Sequence, residues 1–235
     1  MIKKIETINN ILIKHFGIPP RAKELPDPVD MLIATILSQN TNDNNSYKAY
    51  QNLRKRYPKW EMLLKARTSG IEKEIRIAGL GKQKSKAIKN FITGLYKTTN
   101  KLNLNHLNKM ENINAINELT KYNGIGVKTA SCVLLFALDR DVCPVDTHVH
   151  RTLNRIGLVH TSAPAKTFYK LNQNFPSGIA HSFHTNLIRL GREICKPTNP
   201  SCSICPLEKI CKFENKSFEK KSNAKSRSFM LLDNV

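Results

Sequence analysis

The segment ELTKYNGIGVKTASCVLLF, residues 118–136, places Asn123-Gly124-Ile125-Gly126 between two apolar runs. The runs, Ala115 to Tyr122 and Val127 to Leu138, recur at helical spacing, so the segment predicts a hairpin of two helices. Gly124 and Gly126 allow the turn positive φ and let a phosphate come close to the backbone. A helix starting at Val127 points its free amides and positive dipole end at such a phosphate. Contacts of this kind position a protein on nucleic acid without reading bases. An ordinary helix C-cap and αα-turn fits the same residues, since glycine is common there. Gly79-Leu80-Gly81, followed by Lys82 and Lys84, partly repeats the pattern.

Lys128 falls in the first turn of the second helix, where a cation is disfavoured by the helix dipole. An amine whose charge is locally destabilised suits a nucleophile; a phosphate-contacting lysine is the plainer alternative. Further along, Pro144-Val145-Asp146-Thr147-His148 opens another helix with Asp146 at the N-cap. A carboxylate near a nucleophilic amine can also take its proton or stabilise a developing sugar cation. His148 and His150, two residues apart, do not share a helix face and are no metal pair.

Outward from the hairpin the chain reads as all-α, with turns of Pro, Gly and Asn and no sustained strand alternation. Asp27-Pro28-Val29-Asp30 predicts a capped helix start, with Asp27 as N-cap, Pro28 in the first turn and Asp30 at the capping-box position. The apolar run Met31 to Leu37 follows, and SQNTND (38–43) interrupts it with small polar residues. Between Arg76 and Lys89 lie Arg76, Lys82, Lys84, Lys86 and Lys89 with no acid, either a solvated face or a nucleic-acid footprint.

At the far end CKPTNPSCSICPLEKIC, residues 195–211, spaces four of the six cysteines as C-x6-C-x2-C-x5-C. That is a metal-site pattern, open to zinc or to an iron–sulfur cluster on spacing alone. Cys132 and Cys143 fall outside it and read as core residues. The array would tie down the loop Lys196 to Ser201 and present Lys196, near Arg189, Arg192, Lys209 and Lys212, to a phosphate backbone. The chain of 235 residues carries 38 Lys and Arg against 18 Asp and Glu, a net charge of +20. Such an excess points to a polyanion, nucleic acid before an anionic membrane. No apolar run reaches spanning length and no leader-like core follows Met1, so a cytoplasmic protein is expected. Residues 214–235 are polar and Lys/Ser-rich, an expected disordered tail.

The hairpin NGIGVKTA (123–130), VDTHVHRTLNR (145–155) and the cysteine array together resemble endonuclease III, within the helix-hairpin-helix DNA glycosylases. LIATILSQNTND (32–43) and IRIAGLGKQKSKAI (75–88) are similar to the corresponding segments of that family. The resemblance implies two all-α lobes: 24–140, a six-helix lobe with the hairpin, and 1–23 plus 141–213, a lobe with a [4Fe–4S] cluster on Cys195, Cys202, Cys205 and Cys211. It implies double-stranded DNA with a damaged base or abasic site as partner, met by a monomer. Lys128 becomes the nucleophile and Asp146 its catalytic partner in a bifunctional glycosylase and AP lyase acting on oxidised pyrimidines. The implied DNA contacts are Gln39, Asn40, Thr41, Lys84, Gly124, Gly126, Val127 and Lys196, with Gln39 to Thr41 in the segment that fills the gap left by a flipped base. The order Gln39-Asn40 departs from the family pattern, which has Gln at the place of Asn40. A mismatch enzyme acting on T/G or adenine is the nearest alternative, and a non-catalytic redox sensor the next; the hairpin lysine weighs against both.

Overall fold

Asp27 starts the first core helix as its sequence predicts, and a computed structural model shows how. Its carboxylate accepts the backbone amides of Val29 (2.8 Å) and Asp30 (3.2 Å), satisfying two of the donors every helix start leaves open. The structure describes residues 1–218; among these there are eleven α-helices and no strand. No helix among them is long and apolar enough to cross a membrane.

Contacts group residues Ala22–Asp139 into one unit. It holds α2 (Pro28–Leu37), α3 (Asp43–Arg56), α4 (Met62–Lys65), α5 (Thr68–Ile75), a 3-10 turn (Arg76–Ala78), α6 (Gly81–Thr99), α7 (Asn112–Thr120) and α8 (Val127–Phe136). The α2 side chains Val29 and Met31 through Leu37 are all buried, so this helix is apolar on every side and forms the middle of the unit. It packs against α3, α6 and α8. Asp30 departs from the capping-box expectation. Its carboxylate accepts the Tyr50 hydroxyl (2.9 Å) and the Trp60 indole N–H (2.8 Å) instead. Asp is a methylene shorter than the Glu of a capping box, and the buried Trp60 and half-buried Tyr50 donors need an acceptor.

Among the described residues, Met1–Arg21 and those from Arg140 to Phe218 form the other unit. Here α1 (Ile2–Phe16) lays Ile5, Ile8 and Leu12 against α11 (Ala180–Glu193), and α9 (Thr147–Ile156) packs on α11 and α10 (Pro164–Asn172). Helix α9 begins where its sequence says. Asp146 caps its start, and Gly157 in the left-handed region ends it with the Leu158 amide on the Leu153 carbonyl (3.0 Å). The tail is expected from 214, but Lys216 and Ser217 are bonded to the cysteine loop. The Ser217 carbonyl accepts the Cys202 amide (2.9 Å), and the Lys216 amine pairs with Glu208 (3.0 Å). Residues 219–235 of that tail lie outside the described residues.

Candidate active site

The hairpin turn needs its two glycines for different reasons. Gly124 has φ +94, and a Cβ there would meet the Ala87 Cβ of α6 at 2.4 Å, so the turn lies directly on that helix. Gly126 has φ −95 and open space where a side chain would be. It is the N-cap of α8 and carries no side chain to satisfy the helix's first amides. The first bond inside α8 runs from the Ala130 amide to the Gly126 carbonyl, leaving the amides of Val127, Lys128 and Thr129 as an open anion-facing end.

Lys128 stands in that first turn, half-buried, and its amine has no hydrogen-bond or ion-pair partner among the described residues. Gln39 reaches the same turn: its amide nitrogen donates to the Thr129 hydroxyl at 3.2 Å. Asn40, next along, is exposed with φ +50, and Thr41 leads into the Asn42 cap of α3. The SQNTND segment thus lies beside the lysine through a contact across some ninety residues of chain.

Lys84 corrects the expectation of a DNA-binding lysine. It is 1% exposed, and its amine donates to the Leu37 carbonyl ending α2 and the Ala78 carbonyl ending the 3-10 turn, both at 2.8 Å. Burial lowers the amine to about 8. Lys89 likewise turns inward, onto the Leu63 and Leu64 carbonyls of α4 (2.7 and 2.8 Å). Of the basic run, Arg76, Lys82 and Lys86 remain exposed. Leu80 was missed by sequence reasoning. It is 49% exposed with a left-handed backbone at φ +50, between two glycines and beside Lys82. An apolar residue inside a G-x-G turn was the available signal.

In the other unit, Asp146 uses one oxygen as a cap, accepting the Val149 amide at 2.8 Å; the second oxygen takes no part in it. The extended approach to Asp146 is pinned from outside its own motif. Asn172 of α10 accepts the Cys143 amide (2.7 Å) and donates to the Cys143 carbonyl (3.0 Å), and His184 of α11 bonds the Pro144 carbonyl (2.9 Å). Two arginines, one turn apart on α9, fasten this helix to the cysteine loop. Arg151 donates to the carbonyls of Cys195 (3.0 Å) and Gly191 (2.8 Å), and Arg155 to those of Lys196 (2.7 Å) and Pro197 (2.8 Å). Arg155 also points at the Cys195 sulfur (3.5 Å) and stacks on Phe213 (4.2 Å). Burial lowers the His148 imidazole against the pull of the Asp146 carboxylate.

Cys195, Cys202, Cys205 and Cys211 line one cavity. Among the described residues no three His, Cys, Asp or Glu side chains draw together as a single metal ion requires. Four cysteine sulfurs lining one cavity are a donor set that suits zinc or an iron–sulfur cluster. Burial pushes the Cys205 thiol up to about 12 and raises that of Cys211. Lys196 is half-buried beside the array, and Lys209 and Lys212 are exposed. Arg189 is committed elsewhere, stacked on Phe16 (4.6 Å) and bonded to its carbonyl (2.9 Å).

Residues 33–177 match the HhH-GPD superfamily of base excision DNA repair proteins. Endonuclease III of Thermotoga maritima is 33% identical over 209 residues, covering 89% of this chain and 92% of that protein. A solved non-covalent endonuclease III–DNA complex superposes with a TM-score of 0.75 at 26% identity, covering 89% of this chain and 94% of that one. A thermostable thymine-DNA glycosylase superposes with a TM-score of 0.74 at 21% identity, covering 90% and 96%; that likeness speaks for the fold alone.

Proposed function

The chain belongs to the HhH-GPD superfamily of base excision DNA repair proteins, alongside endonuclease III, and on that premise we propose that Lys128 is the nucleophile with which this DNA glycosylase also cleaves the strand. The observation that carries the reading is the unpartnered Lys128 amine at the open start of α8. The amides of Val127, Lys128 and Thr129 hold a DNA phosphate, and the absence of a side chain at Gly126 lets it approach. The substrate is duplex DNA from which a damaged nucleotide, an oxidised pyrimidine in this reading, is turned out of the stack, because its glycosidic bond is out of reach inside the helix. Leu80 and Asn40 occupy the space left behind: an apolar side chain separates base steps, and an amide serves the orphaned base.

The Lys128 nitrogen then bonds the sugar C1′ as the C1′–base bond breaks, and the base departs with the proton that the attacking nitrogen gives up through Asp146. Asp146 stabilises the positive charge on the sugar and takes the proton from the attacking nitrogen. The sugar ring opens to an iminium linking Lys128 to C1′. Loss of a C2′ proton expels the 3′ phosphate, and water releases the lysine. Cys195, Cys202, Cys205 and Cys211 hold a [4Fe–4S] cluster whose part is to crosslink the loop they share; iron and labile sulfide in equal amounts in the purified protein test it. Lys196, with Lys209 and Lys212, adds phosphate contacts from the same loop. The enzyme works as a cytoplasmic monomer in this reading, which sedimentation checks.

Borohydride reduction decides the central assignment. The wild-type protein should be trapped covalently on an abasic duplex, and Lys128→Ala should not. Full trapping of Lys128→Ala sinks the assignment and leaves exposed Lys82 as the next amine, since Lys84 is buried.

A further inference from the structure

We propose that Lys84 is a positioning residue whose buried ammonium sets the spacing of two exposed tips, Asn40 and Leu80, where they enter the duplex. The inference rests on the function proposed above. One amine caps two different elements, the end of α2 at Leu37 and the end of the 3-10 turn at Ala78, each at 2.8 Å. Asn40 lies three residues past the first anchor and Leu80 two residues past the second. Both tips are exposed, and both have φ +50, a conformation L residues adopt at a cost unless their surroundings hold it. Of the described non-glycine residues with positive φ, Leu80 alone is neither Asn nor Asp, so no polar side chain of its own supports that backbone.

A buried ammonium is an expensive way to fill space, since an apolar residue of the same length packs as well. Its partners here are carbonyls at two element ends, where the partial negative charge of unpaired C=O groups favours a cation. What the charge adds over an apolar side chain is a fixed joint between two turns that are otherwise joined only by packing. The neighbouring amides hold each tip from behind: Ser38 on Ala34, Gln39 on Ile36, and Gly79 on Arg76. Opening an intact base pair needs both tips at a set distance at once. A site that has already lost its pairing does not.

The test compares Lys84→Met with wild type. Amide exchange at Ser38, Gln39 and Gly79 should quicken together by about tenfold or more, the effect of losing charged hydrogen bonds, with Ala130 and Ala137 of α8 unchanged. Single-turnover excision of a damaged base from a fully paired duplex should fall by about ten- to a hundredfold. The same lesion in an unpaired bubble, and cleavage of an abasic duplex, should stay within about threefold of wild type. Equal losses on paired and bubble substrates would overturn the proposal, as would unchanged exchange at the two anchors or exchange quickened throughout the protein. Leu80→Ala, changed at an exposed tip, should show the same paired-against-bubble split without disturbing the fold, and wild-type excision by it counts against the proposal. Exchange needs no catalysis, so a wild-type protein inactive on every substrate would refute the proposed reaction while the exchange data still judge the clamp.

Discussion

Two turns of this protein look alike in sequence and end in opposite chemistry. Gly79-Leu80-Gly81-Lys82-Gln83-Lys84 and Asn123-Gly124-Ile125-Gly126-Val127-Lys128 both run from a G-x-G turn into a helix that carries lysine near its start. Lys128 is the second residue of α8 and its amine has no partner among the described residues; Lys84 is the fourth of α6 and buries its amine. Two residues along a helix are a rotation of about 200°, so the two lysines point from opposite sides of their helix. One faces the open amide end, the other the core carbonyls. Lys82, second in α6, is the positional counterpart of Lys128 and is exposed. Its turn, however, begins from a left-handed Leu80 rather than from an uncapped glycine. The difference teaches that a glycine turn followed by lysine names a place for an anion only when the helix phase sends the amine outward.

Breaking the catalytic side of this contrast should give the largest effect. Lys128→Ala removes the nucleophile, and Asp146→Asn removes only its partner's charge. Asn caps a helix as well as Asp, so Asp146→Asn should unfold within about 0.5 kcal/mol of wild type while single-turnover excision slows about 10²- to 10⁴-fold. A parallel loss of melting temperature would mean that Asp146 serves the fold and little else.

A smaller effect separates the two glycines of the hairpin. Gly124→Ala forces a left-handed backbone on a side chain that overlaps Ala87, and should cost about 2–4 kcal/mol in denaturant unfolding. Gly126→Ala, with φ −95 and open space, should change stability by no more than about 0.5 kcal/mol yet weaken binding to undamaged duplex. Equal destabilisation by both changes would show that the turn serves packing alone.

The buried lysine supplies the smallest and most specific test. Its folded amine titrates near 8, below the ordinary 10.5. Between those values the unfolded chain binds more protons than the folded one, so this group's contribution to stability rises with pH across that window. Wild type should therefore gain on Lys84→Met by up to about 3 kcal/mol between pH 8 and 10.5, measured as paired unfolding curves. A difference that is flat with pH would mean that the folded amine titrates where it does in the unfolded chain.

Much of the fold was legible because its signals are local. Asp27 and Asp146 cap helices through bonds to amides two and three residues ahead, and Gly157 ends α9 by its own backbone conformation. The apolar face of α6, Ala87, Ile88, Phe91, Ile92 and Leu95, is buried as its spacing requires. Asp30 was misread because its partners, Tyr50 and Trp60, lie twenty and thirty residues away. Lys84 was misread for the same reason: a long amphipathic side chain can carry its charge to water or to a core carbonyl, and residue type does not choose between them. The pinning of the approach to Asp146 by Asn172 and His184 depends on contacts that no local pattern records.

The sequence by itself determined where helices start and stop, which turn exposes a helix's amides, which lysine and aspartate have the right chemical character, and that four thiols form an array. Those are properties of spacing, capping and residue type, all of which act within a few residues. Tertiary structure decided which lysine keeps a free amine, that Gln39 lies beside Thr129, and that the four thiols share one cavity. These follow from helix phase and from the packing of distant elements, because a side chain's surroundings, rather than its identity, determine whether its charge is held or available.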